Sequence, residues 1–119
     1  MTIIDKENLS KAVNEFANEV HQNAVNHGWW EENKSFGEIV ALIHSEASEA
    51  LEQYRKSHGT NETYYAADGK PEGIPSELAD IVLRVLDFCG KYGIDIGGML
   101  IEKHEFNKTR PYKHGGKLM

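Results

Sequence analysis

Two acidic couplets carry most of the chemistry open to this chain: Glu46 and Glu49 in HSEASEALE, then Glu77 and Asp80 in SELADIVL. Each is spaced i, i+3, which on a helix puts both carboxylates on one side, roughly 5–6 Å apart at Cβ. Two such helices packed together would aim four carboxylates at a common point. Their mutual repulsion would raise the pKa of some and destabilise the fold unless a cation lay between them. Hard oxygen ligands of this kind suit Mg2+, Mn2+ or Ca2+.

The elements that must position these acids read as four helices, with no convincing strand. The first spans about Asp5 to His27, with Leu9, Val13, Phe16, Ala17, Val20 and Ala24 at helical spacing and Gly28 as its stop. The second opens on a Ser35/Glu38 capping box and carries Ile39, Leu42, Ile43, Ala47, Ala50, Leu51 and Tyr54 to about Ser57. The third starts after Pro75 and runs to about Tyr92, with Gly93 as its stop. The fourth takes Asp95 as N-cap and includes Met99, Leu100, Ile101 and Phe106 before Pro111. The fold class predicted is all-α.

The couplets sit differently on their helices. Glu46 falls inside the apolar stripe formed by Ile39, Leu42, Ile43 and Ala50, with Glu49 at its edge and Glu52 facing away. A carboxylate in an apolar stripe is costly unless it is paired or holds a metal. Glu77 and Asp80 line up with Arg84 and Asp87, opposite the centre of an arc of Leu78, Ile81, Val82, Val85, Leu86 and Cys89. Alone that strip reads as a solvated face. Leu83 and Phe88 widen the arc past half the circumference, which predicts a helix packed on several sides with its acidic strip facing a groove.

Composition narrows the function classes. A chain of 119 residues is a single domain, 1–119, of a size whose core is often completed by a second subunit. A formal net charge of -6 argues against binding nucleic acid, which clustered basic charge drives. The single cysteine, Cys89, has no partner within the chain and reads as a small buried hydrophobe, consistent with a reducing cytoplasm. The amino terminus has no secretory pattern and no stretch approaches the roughly 18 apolar residues of a membrane span. The expectation is a cytoplasmic protein with no membrane partner.

Trp29 and Trp30 follow a helix stop and precede a polar turn, where a nucleobase could stack on either ring or one ring could plug the end of the bundle. The segment from His58 to Ile74 is long for a connector, and Tyr64 and Tyr65 make it a candidate lid. After Glu105 the chain carries Lys108, Arg110, Lys113 and Lys117 with no further acid. On charge alone this is a solvated tail.

The ordered set of segments resembles the MazG-like all-α nucleoside triphosphate pyrophosphohydrolases. Their signature, Glu-x-x-Glu on one helix and Glu-x-x-Asp on the next, is matched by Glu46, Glu49, Glu77 and Asp80. The resemblance extends over GWW, LIHSEASEALE and EFNKTRPYKHGGK, roughly Gly28 to Lys117, and departs at Ser45, where many members carry another glutamate. It implies a four-helix bundle completed by homo-oligomerisation, as a homodimer or homotetramer. It also implies hydrolysis of a nucleoside or deoxynucleoside triphosphate to the monophosphate and pyrophosphate, in nucleotide pool control or house-cleaning. The cofactor implied is Mg2+, with Mn2+ as a substitute, held by Glu46, Glu49, Glu77 and Asp80, while Glu49 also orients the attacking water. The likeness of the tail points Asn107, Lys108, Arg110, Tyr112 and Lys117 toward the phosphates; Trp29 and Trp30 stand as the candidates for stacking on the base. A non-catalytic helical module that docks through its acidic face is the alternative. A di-iron bundle is disfavoured, because no glutamate here has a histidine three residues later.

Overall fold

The computed structural model describes residues 5–113. Its helices are α1 (Lys6–Asn26), α2 (Phe36–Arg55), α3 (Ile74–Tyr92) and α4 (Ile96–Lys108); α1, α2 and α4 begin at side-chain caps, and α3 at a proline in its first turn. Asp5 accepts the Asn8 N–H at 3.1 Å. Ser35 and Glu38 form the reciprocal capping box, both bonds at 3.1 Å. Pro75 lies in the first turn of α3, where its missing N–H costs nothing, and Asp95 accepts the Gly98 N–H at 2.8 Å. Gly93 ends α3 in the left-handed conformation at φ 64°.

A short antiparallel hairpin departs from the expected absence of strands. Strands β1 (Tyr64–Tyr65) and β2 (Pro71–Glu72) pair with Tyr64 opposite Glu72 and Tyr65 opposite Pro71. Two-residue strands are too short to show alternation, but the Asp68-Gly69 pair between them is a hairpin turn signal, and Gly69 sits at φ +87°. The Tyr64 hydroxyl donates to Gln53 at 2.9 Å and its ring stacks on His58 at 4.9 Å, so the candidate lid is tied down to the end of α2.

Helix α3 is central. It packs against α1 on one side and α2 on another, while α4 packs on α1. Two glycines allow the closest approaches: a Cβ at Gly90 of α3 would lie 2.5 Å from the Ala17 carbonyl oxygen of α1, and one at Gly97 of α4 would meet the Ser10 carbonyl. Asn14 fastens the second contact, accepting from Gly97 N at 2.8 Å and donating to Asp95 at 2.7 Å. Among the described residues the buried apolar side chains are Ala17, Ile39, Ile74, Leu86 and Cys89, and burial pushes the Cys89 thiol pKa up. Among the described residues no helix is long and apolar enough to cross a membrane.

Candidate metal centre and adjoining cavity

Packing α2 on α3 brings Glu46 against Glu77 and Asp80, with one carboxylate oxygen from each lying within 4.8 Å of the others. Glu46 is the buried member at 8% exposure, as its place in the apolar stripe requires. Arg84, one turn beyond Asp80, donates to Glu46 Oε1 from Nε at 3.2 Å and from Nη2 at 3.0 Å. Glu46 Oε2 and Glu77 Oε2 are buried with no hydrogen-bond partner among the described residues. Orphaned carboxylate oxygens are costly, and two in one cluster leave acceptor atoms that a cation could use.

The electrostatics agree. Burial first, then the neighbouring Glu49 carboxylate, then the charges of Asp80 and Glu46, push the Glu77 pKa up to about 7. Asp80 is also raised, by burial first and Glu46 second, against the pull of Arg84 and Lys70. Three hard oxygen donors with one net cation beside them fit a divalent metal that prefers carboxylate ligands. Glu49 stands apart from this triad: it is exposed and borders Glu77 rather than sharing the common point.

A cavity of about 290 Å³ opens beside the triad. Glu46, Asp80 and Arg84 form one part of its lining, and Trp29, Trp30, Lys34 and Asp87 are also on its wall. The turn at Gly28, φ +83°, delivers the two tryptophans there. Trp30 is half-buried and donates its indole N–H to Asp87 on α3 at 2.9 Å, with His21 of α1 edge-on to its ring at 5.5 Å. Trp29 is 55% exposed, with Lys34 Nζ and the Arg84 guanidinium each 5.8 Å from its ring centroid.

The tail residues lie elsewhere. Asn107, Lys108, Arg110 and Tyr112 are exposed, and none of them lines this cavity or joins the triad. Lys108 is paired with Glu105 at 3.0 Å. Lys117 lies outside the described residues. Four residues that the sequence does not single out for a site take part in this one, Lys34 on the cavity wall among them. Arg84 and Asp87 align with the acidic strip on the helical wheel, at the i+4 and i+7 positions from Asp80. His21, on a different helix, carried no local signal.

No protein-family model matches the sequence, and neither the curated proteins nor the solved structures give a significant match.

Proposed function

We propose that this protein is a metal-dependent nucleoside triphosphate pyrophosphohydrolase of the MazG-like kind, with Mg2+ as its cofactor and Mn2+ as a substitute. The observation that carries the reading is the pair of buried, unpartnered oxygens, Glu46 Oε2 and Glu77 Oε2, in a carboxylate triad that opens onto an aromatic-walled cavity. Glu46, Glu77 and Asp80 hold the metal, with Glu49 at the margin as a further ligand. When bound, the ion supplies Lewis-acid stabilisation of phosphoryl charge and acidifies water. It also reverses the local field, without which a triphosphate could not approach this many carboxylates.

In the reaction, water attacks one of the two phosphorus atoms that flank the α,β-bridging oxygen, the bond from that phosphorus to the bridging oxygen breaks, and the monophosphate and pyrophosphate separate. Glu49, exposed beside Glu77, is the residue assigned to orient the water and take its proton. Arg84 lies between the triad and Trp29, where a guanidinium can neutralise a phosphate whose base enters the cavity. A docking module that works through an acidic face fits less well, because Glu46 is buried.

A homo-oligomer belongs to the same proposal. Leu51 and Tyr54 on α2, with Leu78 and Val82 on α3, are between 51% and 64% exposed. The radius of gyration is 16.9 Å, against about 13–14 Å for a compact domain of this length. A second copy covering the outer faces of α2 and α3 would complete the core beneath the acidic pair.

The test is incubation with Mg2+ and a panel of ribo- and deoxyribonucleoside triphosphates, with products separated by anion exchange and Glu46→Ala as control. Monophosphate plus pyrophosphate, absent in the control, is the expected result. Diphosphate plus phosphate would identify a different hydrolase, and no turnover with either Mg2+ or Mn2+ would remove the reading. Light scattering on the same sample should give a mass of at least two chains.

A further inference from the structure

Asp87 follows Asp80 by seven residues, two turns or about 10 Å along α3. Both residues line the same cavity, so one wall carries a metal-ligand carboxylate and then, a nucleoside's length away, a second carboxylate with another environment. Asp87 is not part of the triad. Its Oδ1 is engaged twice, by Trp30 Nε1 at 2.9 Å and His21 Nδ1 at 2.9 Å, while Oδ2 has only a longer share of the same indole N–H at 3.1 Å. The side chain nevertheless remains 21% exposed.

A carboxylate has about four acceptor sites, so the contacts leave acceptor capacity chiefly on Oδ2. The two rings come from α1 and from the turn that follows it, and they fix the carboxylate from two directions. This is what a reading group requires: a held side chain with spare acceptor capacity at a cavity wall. The indole N–H of Trp30 is consumed by Asp87, so this ring offers a base only its apolar surface.

We propose that the cavity takes the nucleobase and that Asp87 selects bases carrying an exocyclic amino group over their oxo counterparts: cytosine over uracil, and adenine over hypoxanthine. The amino group donates to Oδ2. A carbonyl in its place presents lone pairs to a fixed carboxylate, which costs a hydrogen bond and adds repulsion. Asp87 is then a specificity-determining residue, and His21 and Trp30 position it. The inference rests on the proposed reaction only for where the phosphates lie, at the triad end.

The experiment separates the two ideas by measuring nucleoside monophosphate binding through tryptophan fluorescence with Mg2+ present, where a monophosphate has no pyrophosphate to lose and no turnover is needed. Cytidine and adenosine monophosphates should bind about tenfold or more tighter than uridine and inosine monophosphates. Asp87→Asn retains an acceptor for Trp30 but offers an amide N–H₂, so the preference should collapse or invert. Equal binding of each amino/oxo pair by the native protein, no binding of any monophosphate, or an unchanged ratio in a folded Asp87→Asn protein would overturn the proposal. Failure to hydrolyse any triphosphate would count against the pyrophosphohydrolase reading instead and leave the fluorescence ranking to judge Asp87.

Discussion

Arg84 donates twice to one oxygen of Glu46, at 3.2 and 3.0 Å, while the other oxygen of that carboxylate is buried and bare. The guanidinium therefore neutralises Glu46 from one side and leaves the side toward Glu77 and Asp80 open. Such an arrangement lets the acidic cluster fold without a bound cation. It does not remove the repulsion within the cluster.

Arg84→Gln should lower stability by about 1–3 kcal/mol in the presence of chelator, because a buried carboxylate loses its charged partner. The Arg84 side chain is 29% exposed, which keeps the loss below that of a fully buried pair. Added Mg2+ should raise the Tm of the variant by more than that of the native protein, since the metal replaces part of the missing charge. Equal Mg2+ increments in the two proteins would mean that Arg84 does not offset the charge of the triad.

Glu77 gives the metal-free protein a pH dependence of unusual sign. Its pKa rises from 4.5 to about 7 on folding, chiefly through burial and then through Glu49. Between those values the folded state holds a proton that the unfolded state has released, so stability falls as pH rises across this window. Urea unfolding in chelator should give a lower midpoint above the window than below it. Glu77→Gln should flatten that slope, and saturating Mg2+ should oppose it by binding the ionised cluster. A native midpoint that climbs with pH as steeply as that of the variant would contradict the argument.

Glu49 and Glu46 should behave differently despite sharing a couplet. Glu46 belongs to the triad, whereas Glu49 is exposed at its margin. Glu49→Gln should reduce turnover by about 100-fold or more, the scale of a lost general base, while Mn2+ binding followed by electron paramagnetic resonance weakens only several-fold. Glu46→Gln should lose both. Near-normal turnover in Glu49→Gln would take Glu49 out of the mechanism.

These contrasts mark what the sequence could and could not reveal. The helices were legible because their caps are local: Ser35 with Glu38, Pro75, Gly93 and Asp95 each act within one turn. The burial of Glu46 was legible from its helical wheel, as was the alignment of Glu77, Asp80, Arg84 and Asp87 along one side of α3. The wheel cannot say which helix a face meets. The partnership of Arg84 with Glu46 spans 38 positions and that of His21 with Asp87 spans 66, so both depend on the packing of α3 between α2 and α1. The separation of Glu49 from its couplet partner has the same origin. An i, i+3 pair shares a side of its helix, but only the residue nearer the contact line with α3 enters the cluster.

The packing that makes these contacts can be tested with one substitution at two sites. At Gly90 an added methyl group would lie 2.5 Å from the Ala17 carbonyl oxygen and 2.7 Å from the His21 Cβ, so α1 must move off α3. At Gly37, in the first turn of α2, its nearest neighbour is the Ser35 hydroxyl at 3.8 Å, an ordinary contact. Gly90→Ala should therefore destabilise by about 1–3 kcal/mol through overpacking. Gly37→Ala should be neutral or stabilising by up to about 1 kcal/mol, because alanine loses less backbone freedom on folding. Displacing α1 also draws His21 away from Asp87, so Gly90→Ala should weaken nucleoside monophosphate binding while Gly37→Ala leaves it unchanged. Equal thermal midpoints for the two variants would show that α1 and α3 do not approach through Gly90, and the position of His21 beside the cavity would fall with that contact.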